Sequence, residues 1–140
     1  MSWLIDTNII SESTKKRPNA KVAAWLDAQD AQSLHLSVLT VGELHKGFHK
    51  LADARKRADL LGWFDRMLRE EFQGAVLPIT AEVAERWGKI TAESELRGEP
   101  LPVIDALIAA TAIVHGLTVV TLNEEDMTRC GAKVLNPSKG

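Results

Sequence analysis

Residues 101–122, LPVIDALIAATAIVHGLTVVTL, decide the fold. Leu101–Ala112 reads as a helix with hardly a polar position. Pro102 suits a first helical turn that needs no backbone N–H. Ile104, Leu107 and Ile108 form one apolar face, and Ala106, Ala109, Ala110 and Ala112 leave the remainder small and apolar. Gly116 stands just past the C-terminal end, and Leu117–Leu122 follows as a strand. A helix apolar nearly all round lies inside a protein. Asp105 is the anomaly, because an ionised carboxylate out of water costs several kcal/mol unless something compensates it.

The same alternation extends along the chain. Trp3–Ile5 is a short apolar strand ending at Asp6, and Ile9 and Ile10 sit in a short helix. TKKRPN is a loop with Asn19 as N-cap, followed by the helical stripe Val22, Trp25, Leu26. Leu34–Leu39 is a second strand, Thr40–Leu51 a helix, and Asp53–Glu71 another, ended by Gly74. Ala75–Ile79 is a third strand, and Thr80 caps a helix with the stripe Val83, Trp87, Ile90. A last short strand covers Lys133–Leu135. Strands alternating with helices predict an α/β domain over residues 1–140, with a mainly parallel sheet covered on both faces. In such sheets ligands bind beyond the carboxyl ends of the strands.

The 140 residues fit one domain with a real core. No apolar run approaches the roughly 18 residues of a membrane span. The opening MSWLIDTN lacks a basic segment leading into a long apolar run, so no secretory signal is expected. A lone cysteine, Cys130, excludes an internal disulfide framework and suits a reducing cytoplasm. The net charge of −2 makes no global case for nucleic-acid binding. Local clusters differ: Lys15, Lys16 and Arg17 form one, and Lys46, Lys50, Arg55, Lys56, Arg57, Arg66 and Arg69 dominate the middle third. Each reads as a solvated face or as a phosphate-facing surface.

Four acids fall where the strand-end rule points. Asp6 ends the first strand and is either a cap for the segment at Thr7 or a functional group. Glu43 completes a capping box with Thr40, a role compatible with a second one through its other oxygen. Asp126 follows the fourth strand in TLNEEDM and is either solvated or part of the site, with Asn123 as a turn residue or polar ligand. For Asp105 a helix N-terminus supplies only about 0.3–1 kcal/mol. No Lys or Arg lies within a turn of it in sequence. A distant basic side chain or a bound cation must supply the remainder, and an oxygen-only donor set selects hard ions such as Mg²⁺ or Mn²⁺.

LIDTNIISE, LSVLTVGELHKG, PLPVIDALIAATAIVHGLTVVTLNEEDM and VLNP, in this order and spacing, resemble the PIN-domain family, most closely its VapC-type toxins and their FitB-like branch. The resemblance spans nearly the whole chain and is least specific between Leu51 and Gly74. It implies an α/β/α sandwich and a Mg²⁺- or Mn²⁺-dependent endoribonuclease. The acidic catalytic and metal-binding cluster would be Asp6, Glu43, Asp105 and Asp126. Thr7, Asn8 and Asn123 would be the supporting polar residues. Relatives differ at the last position: some carry Asp where Asn123 stands, others Asn with Asp three residues on, as here. The family further implies a homodimer and a VapB-type antitoxin whose tail blocks the active-site groove, with no membrane association and no direct DNA contact. Lys46 and Lys50 would guide the RNA backbone.

Three other readings start from the same residues. A catalytically silent PIN-like binding module would be marked by loss of an acid, and the acids are present. A haloacid-dehalogenase-type phosphatase wants a second Asp two residues after Asp6, where Asn8 stands. His45 and His49 have the i, i+4 spacing of zinc helices, but Lys46 occupies the position of the needed Glu.

Overall fold

The computed structural model describes residues 1–73 and 75–139; the expected helix break at Gly74 lies outside the described residues. The strands are β1 (Trp3–Ile5), β2 (Leu34–Ser37), β3 (Val76–Leu77), β4 (Thr118–Val120) and β5 (Val134–Leu135). They form one sheet in the order β3-β2-β1-β4-β5, with every pairing parallel. The chain runs outward from β1 through β2 to β3, then returns to the other side of β1 as β4. The strand order therefore reverses between β1 and β4, where open parallel sheets bind ligands.

The helices are α1 (Thr7–Glu12), α2 (Ala20–Asp27), α3 (Val38–His49), α4 (Ala54–Glu70), α5 (Ala81–Leu96), α6 (Val103–His115) and α7 (Glu124–Arg129). Successive strand residues point to opposite faces, and β1 shows the result. Leu4 packs with Val119 and with α5 and α6, through Val83, Ile90, Ile108 and Ala109. Ile5 packs with Val120 and with α1, α3 and α4, through Ile9, Ile10, Phe48 and Phe64. This is the expected sheet with helices on both faces.

The alanines of α6 explain its place. Ala106, Ala109, Ala110 and Ala112 are buried, and small side chains let the helix lie close to the sheet and to α5. Pro102 precedes the helix instead of opening it, and no side chain caps α6. Gly116, at φ +67°, ends it in the left-handed conformation that glycine adopts without a Cβ clash.

The third and fourth strands are shorter than expected, Val76–Leu77 and Thr118–Val120, and two further shifts bear on the site. β2 stops at Ser37 rather than Leu39, because Ser37 caps α3 through its hydroxyl, which accepts the Leu39 N–H at 3.0 Å. The cap thus stands three residues before the expected Thr40, which is buried inside the helix. The Thr40–Glu43 capping box does not form, and the Glu43 carboxylate is released for other contacts. The acidic residues of TLNEEDM start a helix: Glu124, Glu125 and Asp126 form the first turn of α7, where acidic groups favour the positive end of the helix dipole.

Candidate active site

Asp6 follows β1 directly and is 4% exposed. Its N–H still bonds to Val120 in β4, which fixes its backbone at the strand-order reversal. One carboxylate oxygen accepts the Thr7 N–H at 2.8 Å and so caps α1. The other accepts the Thr121 hydroxyl at 2.7 Å and the Asn8 amide at 3.4 Å. Burial pushes the Asp6 carboxyl up from its ordinary value, the Thr121 and Thr7 hydrogen bonds oppose this, and the Glu43 charge adds to it.

Glu43 reaches the same place from α3. It accepts the Thr7 hydroxyl at 2.6 Å, and the Thr7 and Thr40 hydroxyls are 3.2 Å apart. Thr7 thereby bridges the two acids, donating its N–H to Asp6 and its hydroxyl to Glu43. Asn8 stitches α1 to the exit of β4: its carbonyl accepts the Leu122 N–H, and its amide donates to Thr121. An amide committed to these bonds is no acid or base, which removes the phosphatase reading.

Asp105 lies in the first turn of α6, half-buried. Its carboxyl is pushed up to about 6, first by burial and then by the charges of Asp6, Asp126 and Glu43. Asn123 donates to Asp105 at 3.4 Å and to Asp126 at 3.1 Å, so one amide joins the two acids. Asp126 also pairs with Arg129, one turn along α7. The Asn123 hydrogen bond and then Arg129 hold its carboxyl below the ordinary range. The fourth acid is therefore already satisfied by its own helix.

A cleft of about 320 Å³ is lined by Asp6, Glu43 and Asp105, with Thr7, Asn8 and Leu122. Asp126 and Asn123 stand outside this lining. Lys46 on α3 and Lys50 at its C-cap are exposed and line neither this cleft nor its neighbour. That neighbour is a groove of about 240 Å³ sharing Ser11 and Glu43 with the cleft and walled by Leu44, Phe48, Leu51 and Leu60. His45 and His49 are exposed, their ring centres 6.0 Å apart.

Sequence reasoning missed Thr121 and Glu12. Thr121 is fully buried and accepts the Asn123 N–H at 2.9 Å while donating to Asp6. Its signal was a hydroxyl at the end of an apolar strand. Thr121→Val leaves Asp6 short of a donor and the Asn123 N–H without its acceptor. Each unsatisfied buried group costs about 1–3 kcal/mol, so urea denaturation of Thr121→Val is expected to show a loss in that range. A loss below about 0.5 kcal/mol means water replaces the hydroxyl.

The donor set fits a divalent cation. Among the described residues no Lys or Arg pairs with Asp6, Glu43 or Asp105. Burial, with the neighbouring negative charges, raises the proton affinity of Asp6 and Asp105, the response of gathered carboxylates without a counter-charge. Among the described residues no three His, Cys, Asp or Glu side chains are grouped to hold an ion by themselves. The four-acid cluster that the resemblance implies is therefore not assembled as one ion-binding group; these residues could hold only an ion that takes one or two carboxylates and keeps its waters.

Residues 3–133 match the PIN domain family model. The chain is a PIN-domain protein. The relatives fit this placement. The toxin FitB of Neisseria gonorrhoeae is 34% identical over 134 residues, which cover 96% of each chain. The crystal structure of FitAcB from that organism superposes on the PIN domain with a TM-score of 0.91 at 34% identity, covering 96% of this chain and 97% of that one. The VapC ribonuclease Y4jK of Sinorhizobium fredii is 31% identical over 134 residues, again 96% of each chain. A toxin–antitoxin complex from Klebsiella pneumoniae superposes with a TM-score of 0.70 at 27% identity, over 97% of this chain and 98% of that one.

Proposed function

We propose that this PIN-domain protein is a divalent-metal-dependent endoribonuclease and the toxin of a VapBC-type toxin–antitoxin pair. One observation carries the reading: Asp6, Glu43 and Asp105 line one cleft at the carboxyl ends of the strands, and among the described residues no Lys or Arg is paired to them. The likeness to a FitB toxin and a VapC ribonuclease over almost the full chain supports it. The likeness to a toxin–antitoxin complex supports an antitoxin as partner, and in this reading the antitoxin is of VapB type and the free toxin arrests growth. The working form is a homodimer in the cytoplasm. Among the described residues no helix is long and apolar enough to cross a membrane.

Asp6 and Asp105 are the metal ligands in this reading, with Mg²⁺ or Mn²⁺ as the ion, and Glu43 faces it from α3. When bound, the ion supplies Lewis acidity toward the attacking water and the phosphate oxygens. The residues of the chain do the positioning. Thr7, Asn8 and Thr121 hold Asp6 in one rotamer, and Thr7 holds Glu43. Asn123 holds Asp105 and leans on Asp126, which acts through it as the outermost member. Carboxylates repel a phosphodiester, so the chain alone excludes its own substrate until the cation is present.

The test is cleavage of total cellular RNA by the full chain with added Mg²⁺ or Mn²⁺, beside Asp6→Asn. Metal-dependent fragments from the wild type, absent with EDTA and reduced at least about 100-fold in Asp6→Asn, are the expected result. Equal cleavage by both proteins, or cleavage indifferent to EDTA, overturns the assignment.

A further inference from the structure

The acidic cleft has one cationic residue in its lining, Lys15. Its ammonium lies 2.8 Å from Glu12, and its side chain is 62% exposed. Glu12 ends α1 and is only 8% exposed. The other Glu12 oxygen accepts the Asn19 N–H at 3.0 Å, and Asn19 in turn caps α2 through the Lys21 and Val22 N–H groups. A nearly buried carboxylate thus clips the end of α1 to the start of α2 and points a lysine over the cleft mouth. Glu12 is paired with a lysine, whereas among the described residues Asp6, Glu43 and Asp105 pair with no Lys or Arg.

An ammonium has three donors, and Glu12 takes one of them. The rest of the charge faces solvent at the rim of a cleft whose floor is acidic. A lysine tethered in this way meets an anion that crosses the mouth and cannot enter the floor. Along the helix, Lys15 lies beyond the end of α1 opposite Asp6, and six residues at about 1.5 Å each make α1 about 9 Å long. The Glu12 pair holds the ammonium at that far end of α1, away from the Asp6 end.

We propose that Lys15, positioned by Glu12, grips the RNA phosphate next to the scissile one and fixes where the strand enters the cleft. This rests on the ribonuclease reading above. A lysine is a point charge without base readout. It strengthens binding equally in ground and transition states, so it acts on KM rather than kcat.

The test is steady-state cleavage of a fluorescein-labelled single-stranded RNA oligonucleotide by the full chain across a salt series, with thermal midpoints measured in parallel. Lys15→Gln is expected to raise KM about 3- to 10-fold with kcat nearly unchanged. It also flattens the slope of log kcat/KM against log salt by about 0.7, the value of one phosphate contact on a single strand. Lys15→Arg keeps the slope. Glu12→Gln retains an acceptor for Asn19 but frees the lysine, giving a smaller rise in KM, and the double variant matches Lys15→Gln alone, because the two residues act as one unit. A Lys15→Gln protein with wild-type KM and salt slope overturns the proposal. So does a raised KM with an unchanged slope and a thermal midpoint lowered as in Glu12→Gln, which makes the pair a structural clip only. Absence of cleavage by the wild type is a separate failure, of the ribonuclease reading itself, and this assignment falls with it.

Discussion

Asp105→Asn is expected to abolish most activity and at the same time to make the metal-free protein more stable. The carboxyl of Asp105 stands at about 6 in the folded chain against an ordinary 3.8. The folded state therefore binds this proton more tightly than the unfolded one. Stability is greatest below about 3.8, falls as pH rises from there to about 6, and stays at the lower level above. Read at full strength, that interval is about 3 kcal/mol, but Asp105 is only half-buried and water screens it, so about 1–2 kcal/mol is the expected size. Asparagine keeps the shape and removes the charge. Its gain appears in urea denaturation at pH 7–8 with EDTA and vanishes near pH 4, where the wild-type carboxyl is protonated.

Magnesium inverts the comparison. An ion that binds only the folded state stabilises it by about 2.7 kcal/mol at a hundredfold excess over its Kd. The wild type then gains and Asp105→Asn does not, while cleavage by the variant falls at least about 100-fold. A variant destabilised in EDTA at pH 8 makes the charge a structural partner of Asn123 and not a site for a cation. The Asn123 amide reaches Asp105 at 3.4 Å, too long a bond to reverse the sign expected here.

How far the sequence could be read is visible in these same residues. Asp105 was legible because local pattern alone says that an all-apolar helix buries its one charge. Asp6 was legible because an apolar strand stops at it. The start of α3 was not. Ser37 and Thr40 are both competent caps, and the choice falls to β2, whose partner β3 is only two residues long and ends the ladder at Ser37. That shift of three residues turned Glu43 from a cap into a cleft residue held by Thr7. Thr121 was illegible for a different reason: its bond to Asp6 joins positions 115 residues apart, and no periodicity encodes such a pair. Asp126 lies between the two cases. Its spacing to Arg129 predicts an i, i+3 pair only once TLNEEDM is recognised as a helix start.

The second large effect concerns the groove that shares Ser11 and Glu43 with the cleft; the antitoxin tail, which the resemblance lays across the active-site groove, is predicted to continue into it. Gly47 lines it on the exposed side of α3, and a Cβ built there meets nothing within 4 Å. Its conformation is helical, so glycine is not required by the backbone and costs the helix about 0.5–1 kcal/mol relative to alanine. Gly47→Trp places a large side chain over Leu51 and Leu60, whereas Gly47→Ala adds one methyl group. Both variants are expected to fold at least as stably as the wild type. Leu44 and Phe48 stay buried beneath and keep the core, and Asp6 and Asp105 lie in the adjoining cleft. RNA cleavage by Gly47→Trp should fall far less than antitoxin binding, because Asp6 and Asp105 line the cleft and not the groove, and Glu43, one helical turn from Gly47, is held by the Thr7 hydroxyl at 2.6 Å. Antitoxin binding, measured by calorimetry with the cognate protein, should weaken about 100-fold or more, near 2.8 kcal/mol, and in cells growth arrest should persist despite antitoxin. Gly47→Ala should remain neutralised. If Gly47→Trp is bound and silenced as well as the wild type, the tail does not use this groove, and the apolar wall of Leu44, Phe48, Leu51 and Leu60 serves only to close the core beneath the acids.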